Sequence, residues 1–225
     1  MPGSLASLAL FFIVVFFVLS GILWGAYRAG NGLFKKMLIF LFCWVLGLSG
    51  VVVSGLPQKY ILPVAPLIFL SILLCGLGVG LSSWGKRLSA LNIWQLAFFQ
   101  SFRLPLEVVL YLWAKTQTVP VTMTWTGQNW DIVSGILACL VVIRIFRNRY
   151  YLWLVNITGI ILLLNVIRVV IFSSPLPFAW NLERPLQLIF YMPYALIGFV
   201  CVWGAVLGHV VLSRALLQGA DNGQR

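Results

Sequence analysis

Of the 225 residues in this chain 62% are apolar and only 8% charged, with a mean hydropathy of +1.04; soluble domains carry roughly 25% charged residues, so a water-soluble globular fold is excluded. The net charge is +11, yet the fifteen Lys and Arg residues fall in short clusters between apolar runs, without the basic stripe interleaved with aromatics that nucleic acid requires. With four acids, one His and four cysteines set singly in apolar segments (Cys43, Cys75, Cys139 and Cys201), there is no ligand set for a metal or haem and no CxxC pair, so no cofactor is implied.

A helix needs about 20 apolar residues to cross a bilayer. Seven segments meet this: 5–27, 34–55, 60–82, 91–113, 130–147, 150–172 and 187–213. The chain is therefore expected to form an all-α integral membrane protein, one transmembrane domain over residues 1–225. The first run has no preceding positive residue, is too long for a signal-peptide core and ends without a small-x-small cleavage pattern, so it reads as a retained span.

Basic residues order the connections. Arg28, Lys35, Lys36, Lys86, Arg87, Arg144, Arg147, Arg149, Arg214 and Arg225 fall on one side of such a bundle, ten in all, against Lys59, Lys115 and Arg184 on the other. Positive charge favours the cytoplasmic side, so the expected orientation is amino terminus outside and carboxyl terminus in the cytoplasm of a plasma (inner) membrane. Trp24, Tyr27, Trp84 and Tyr150 then fall at the inner boundary, and Tyr60, Trp113, Trp125 and Trp180 at the outer one, the levels amphipathic rings prefer. Gly21/Gly25, Gly76/Gly80 and Gly204/Gly208 have the GxxxG spacing that lets helices approach closely. No internal repeat of the kind found in many secondary transporters is visible.

Segment four carries two opposite charges, Arg103 and Glu107. Charges inside a span cost roughly 2.5 to 3.5 kcal/mol each and are usually paired or functional. At about 1.5 Å per residue, Arg103 lies about 18 Å and Glu107 about 24 Å along that span from Leu91, while Arg168 in segment six lies about 27 Å from Tyr150. Residues four apart share a helix face, as do Asn165 and Arg168, so one carboxylate can bridge both arginines. Pro105 removes a backbone donor between the charges. The next connection, TQTVPVTMTWTGQNW, leads through Asn129 into Asp131, two residues suited to cap segment five; alternatively this stretch lies in the interface or folds back as a lid over the cluster. Segment seven entering from outside puts His209 near the inner boundary, away from these groups. The expected site for a substrate is thus Arg103, Glu107, Asn129, Asp131, Asn165 and Arg168, with no catalytic residue assigned.

The run FRLPLEVVLYLWAKTQTVPVTMTWTGQNWDIVSGILA and the later SSPLPFAWNLERPLQLIFYMP resemble an uncharacterised family of bacterial multi-pass membrane proteins with the pattern FRxxxE, VPxxMTxxGxNxDIxxG and a PTPF-like outer loop. The positions that match are Arg103, Glu107, Pro120, Met123, Thr124, Gly127, Asn129, Asp131, Gly135, Pro177 and Phe178, and the resemblance implies an architecture without an activity. WDIVSGIL followed by LLNVIRVV also looks like exosortase-type membrane cysteine transpeptidases. Ser134-Gly135, Asn165 and Arg168 match, but Val133 occupies the nucleophile position, which implies a non-catalytic relative.

Three functions remain open on these residues. The leading one is binding or transport of a small polar or amphiphilic molecule through an outward-facing polar cluster. An enzyme on a lipid-linked substrate and a structural subunit of a membrane complex are the others. The expected partners are the bilayer, a small-molecule or lipid ligand, or another membrane protein, and no nucleic acid.

Overall fold

In the computed structural model, which describes residues 4–143 and 148–222, all the regular structure is helical, with no strand among the described residues. Chain order gives α1 (Leu5–Arg28), α2 (Asn31–Val53), the short α3 (Leu56–Lys59), α4 (Ile61–Leu81), α5 (Ser83–Leu88), α6 (Ile93–Phe99), α7 (Arg103–Lys115), α8 (Ile132–Leu140), α9 (Arg149–Ser173) and α10 (Trp203–Asn222). Five helices among the described residues are long and apolar enough to cross a membrane: α1, α2, most of α4, α9, and Ile197–Gln218, which joins a π-helical stretch (Ile197–Val202) to α10.

The other two expected segments differ in form. Segment 91–113 is a helix interrupted by a 3-10 turn at Gln100–Phe102, which joins α6 to α7. Pro105 has no N–H to give the carbonyl one turn earlier, and the tighter turn lies just upstream of it. Segment 130–147 yields α8, nine residues long, and its expected end at 144–147 lies outside the described residues. Segment 187–213 starts later than expected. Pro185 and Pro193 interrupt the chain there, and continuous helix begins only at Ile197.

The last span is the central one. It has 72% of its apolar window buried, against 17–33% for the other four. Glycines let it sit close to its neighbours: a Cβ at Gly76 would meet Val206 Cγ1 at 2.9 Å and one at Gly80 would meet Val210 Cγ1 at 2.7 Å. Gly204 abuts Val18 of α1, and Gly208 meets Phe99 and Gln100 at the α6–α7 break. The GxxxG pairs thus serve packing within the chain. Two turns need glycine for another reason, because Gly30 and Gly55 take φ of +127° and +77° at the starts of α2 and α3.

Contacts distinguish the two ends of the bundle. Ser7 near the start of α1 accepts a hydrogen bond from the Trp113 indole at 3.0 Å, near the end of α7. The finish of α1 lies beside α5, where Gly25 faces Leu88. At this second end Arg214 donates to the carbonyls of Gly80 and Ser82 at 2.9 and 3.0 Å, satisfying the open end of α4. Charged hydrogen bonds of this kind contribute about 1.5 to 3 kcal/mol, so Arg214→Ala is expected to lower stability by about 2 kcal/mol in a denaturation series in one detergent.

Candidate functional site

A sealed polar cluster crosses the middle of the bundle. Arg103 is the first residue of α7, placed by the 3-10 turn so that its side chain enters the space between α8, α9 and α10. Its Nε donates to Asp131 Oδ2 at 2.6 Å, and Nη2 pairs with Asp131 Oδ1. Nη1 donates to the Gly159 carbonyl at 3.1 Å and lies 2.9 Å from His209 Nε2. A guanidinium has donors only, so Nε2 must accept and the ring proton sits on Nδ1. That proton goes to Asn156 Oδ1 at 3.0 Å. Asn156 Nδ2 in turn donates to Ser213 Oγ at 2.7 Å, and Ser213 Oγ to the His209 carbonyl at 2.8 Å.

Gly159 makes this crossing possible. A Cβ on it would meet His209 Nε2 at 2.8 Å and Arg103 Nη1 at 3.4 Å.

Glu107 lies one turn along α7 from Arg103 but does not pair with it. Its Oε1 accepts from Asn129 Nδ2 at 2.7 Å, while Oε2 is buried with no hydrogen-bond partner among the described residues. Asn129 also donates to the Met123 carbonyl at 3.1 Å, and its Oδ1 accepts the Asp131 N–H at 3.1 Å. Asn129 therefore ties Glu107 to the arginine's true counter-ion. The Asp131 side chain does not cap α8 through the backbone; Ser134 Oγ donates to it at 2.9 Å and Arg103 takes the rest. Arg103, Glu107, Asn129, Asp131, Asn156 and His209 are each no more than 5% exposed.

The lid arrangement of the 116–131 connection is the one adopted. Val121–Met123 forms a 3-10 turn beside α9, Thr122 Oγ1 bonds Ser173 Oγ at 2.7 Å, and Trp125 stacks on Tyr111 at 4.5 Å between centroids. The lid seals the cluster from the Lys115 end.

Asn165 and Arg168 lie outside that seal, on the far side of the lid. Asn165 Nδ2 donates to the Gln128 carbonyl at 2.7 Å, and Arg168 Nη2 to Gln128 Oε1 at 3.1 Å. The Arg168 guanidinium lies 5.7 Å over the Trp180 ring, which stacks on Phe172 at the end of α9. Arg168 is exposed, and among the described residues no carboxylate pairs with it. The six expected site residues therefore divide into a closed group of four (Arg103, Glu107, Asn129, Asp131) and an open pair (Asn165, Arg168).

His209, Asn156 and Ser213 are the cluster members that sequence reasoning did not place there. Depth was the available signal: counted from the helix start at Ile197 rather than from 187, His209 is about 18 Å into its span, near the middle of the roughly 30 Å core instead of at its inner boundary. Among the described residues no group of His, Cys, Asp and Glu is arranged to hold a metal ion. No family model, curated protein or solved structure matches this chain significantly.

Proposed function

We propose that the chain is a seven-span plasma-membrane protein, amino terminus outside, that binds the anionic head of a small amphiphile at the outer ends of α8 and α9. The observation that carries this reading is Arg168, an exposed cation near the end of an apolar helix, oriented by Gln128 and Trp180 and left without a carboxylate among the described residues. A guanidinium held on one edge keeps its remaining N–H donors for a phosphate or carboxylate. Trp180, Trp130 and Phe178 surround the lid and the neighbouring loop with rings suited to the interfacial level. The closed cluster of Arg103, Asp131 and His209 is then the support that fixes α8 and α9 beneath this seat.

Turnover of a lipid-linked substrate has less behind it. Val133 offers no nucleophile, and the Ser134 hydroxyl is committed to Asp131.

Dodecyl phosphate titrated into protein held in phosphatidylcholine nanodiscs is the direct test. Arg168→Gln is expected to weaken binding by about tenfold or more, the worth of a charged hydrogen bond, with the melting temperature unchanged. Equal affinity in wild type and variant would overturn the assignment.

A further inference from the structure

An apolar recess lies at the other end of the bundle. It has a volume of about 530 Å³ and opens sideways between α1, the α5–α6 segment and α10. Its walls are Phe17, Trp24, Leu88, Leu91, Phe99 and Val211. Gly21, Gly25 and Gly208 leave its floor without side chains. Along α1 the recess runs from Phe17 to Gly25, about 12 Å, close to the roughly 15 Å of hydrocarbon in one leaflet.

Three cations lie close in the chain to wall residues of this recess. Arg28 lies 5.6 Å over the ring of Trp24, itself a wall residue. Lys86 and Arg87 immediately precede the wall residue Leu88, and Leu88 faces Gly25, three residues before Arg28. All three basic side chains are exposed, and none pairs with a carboxylate among the described residues. Three of the four acids of the chain are elsewhere: Glu107 and Asp131 in the cluster, Glu183 in the loop after α9.

An apolar slot one leaflet deep with a cationic rim is complementary to a single kind of molecule in a bilayer. We propose that the recess holds an acyl chain of an anionic glycerophospholipid from the surrounding membrane, its phosphate meeting Arg28 and Arg87. The apolar walls alone cannot select it, because lipid tails are as apolar as the slot. Selection comes from the rim. The inference rests on the membrane reading above but not on the Arg168 seat, which lies at the opposite end of the bundle.

The test is native mass spectrometry of the full chain released from nanodiscs containing equal phosphatidylglycerol and phosphatidylcholine. Wild type is expected to retain phosphatidylglycerol selectively. Arg28→Gln/Arg87→Gln removes two interfacial charges, each worth about fivefold, and is expected to reduce that preference by on the order of tenfold or more. Gly25→Leu places its Cβ at an ordinary 3.5 Å from Leu88 and Leu91 while its side chain fills the slot, so retention of both lipids should fall. The same comparison made in an Arg168→Gln background, where the outer seat lacks its cation, should show the same loss on Arg28→Gln/Arg87→Gln, which separates this site from that seat. Equal retention of the two lipids by wild type would overturn the proposal, as would full selectivity in either the double charge variant or Gly25→Leu.

Discussion

Asp131→Asn is expected to destabilise the protein by about 3 to 5 kcal/mol, the usual cost of removing one partner of a buried ion pair. Its carboxylate meets two nitrogens of Arg103, a residue 1% exposed. With the charge gone, the guanidinium is left with only neutral acceptors, the Gly159 carbonyl and His209 Nε2. Glu107→Gln should behave very differently, although Glu107 is the acid four residues from Arg103. The glutamine carbonyl still accepts from Asn129, and the new amide group replaces an oxygen that already has no hydrogen-bond partner. That exchange is expected to cost about 1 kcal/mol. Denaturation of both variants in the same detergent decides the matter. A loss in Glu107→Gln as large as in Asp131→Asn would mean that Arg103 is neutralised by Glu107 instead.

The contrast between these two acids shows what the sequence could and could not convey. Apolar runs were enough to place α1, α2, α4 and α9 within a few residues, because a span is defined by length and hydropathy alone. The importance of Arg103, Glu107 and Asp131 was visible for the same reason, since charges within or bordering such runs are rare. Pairing was not visible. Helical spacing put Glu107 beside Arg103, but the 3-10 turn at Gln100–Phe102 starts α7 at Arg103 and turns the guanidinium toward α8. Asp131 looked like a helix cap because it stands at a helix start, and only the close approach of α8 to Leu104 converts it into a counter-ion. His209 was placed at the wrong depth because Pro185 and Pro193 delay the last helix by ten residues relative to its apolar run. Arg168 looked like a member of the same cluster at its depth, yet it donates to Gln128 of the lid, while the carboxylate that pairs with Arg103 is Asp131.

Gly135→Ala is expected to do nearly as much damage as removing Asp131, although it adds one methyl group. A Cβ at this position runs into the backbone of Leu104, reaching its Cα at 2.8 Å and its amide nitrogen closer still. Backbone in a helix cannot rotate away as a side-chain tip can, so the strain belongs at the upper end of the range for overpacking, about 3 kcal/mol. The geometry couples that strain to the ion pair. Leu104 follows Arg103 directly, and Gly135 lies one helical turn after Asp131, so pushing α8 from α7 lengthens the contacts between Arg103 and Asp131. Gly47 in α2 is the control, because nothing lies within 4 Å of a Cβ built there, and Gly47→Ala should be neutral or stabilising by up to about 1 kcal/mol. The two alanine variants, compared by denaturation in one detergent, separate helix propensity from steric exclusion. If Gly135→Ala melts with Gly47→Ala, the approach of α8 to α7 is looser than described and Asp131 is not held against Arg103 by packing. If it melts with Asp131→Asn, and the double variant Gly135→Ala/Asp131→Asn loses little more than either alone, packing and charge act as one unit, as contacts sharing partners do.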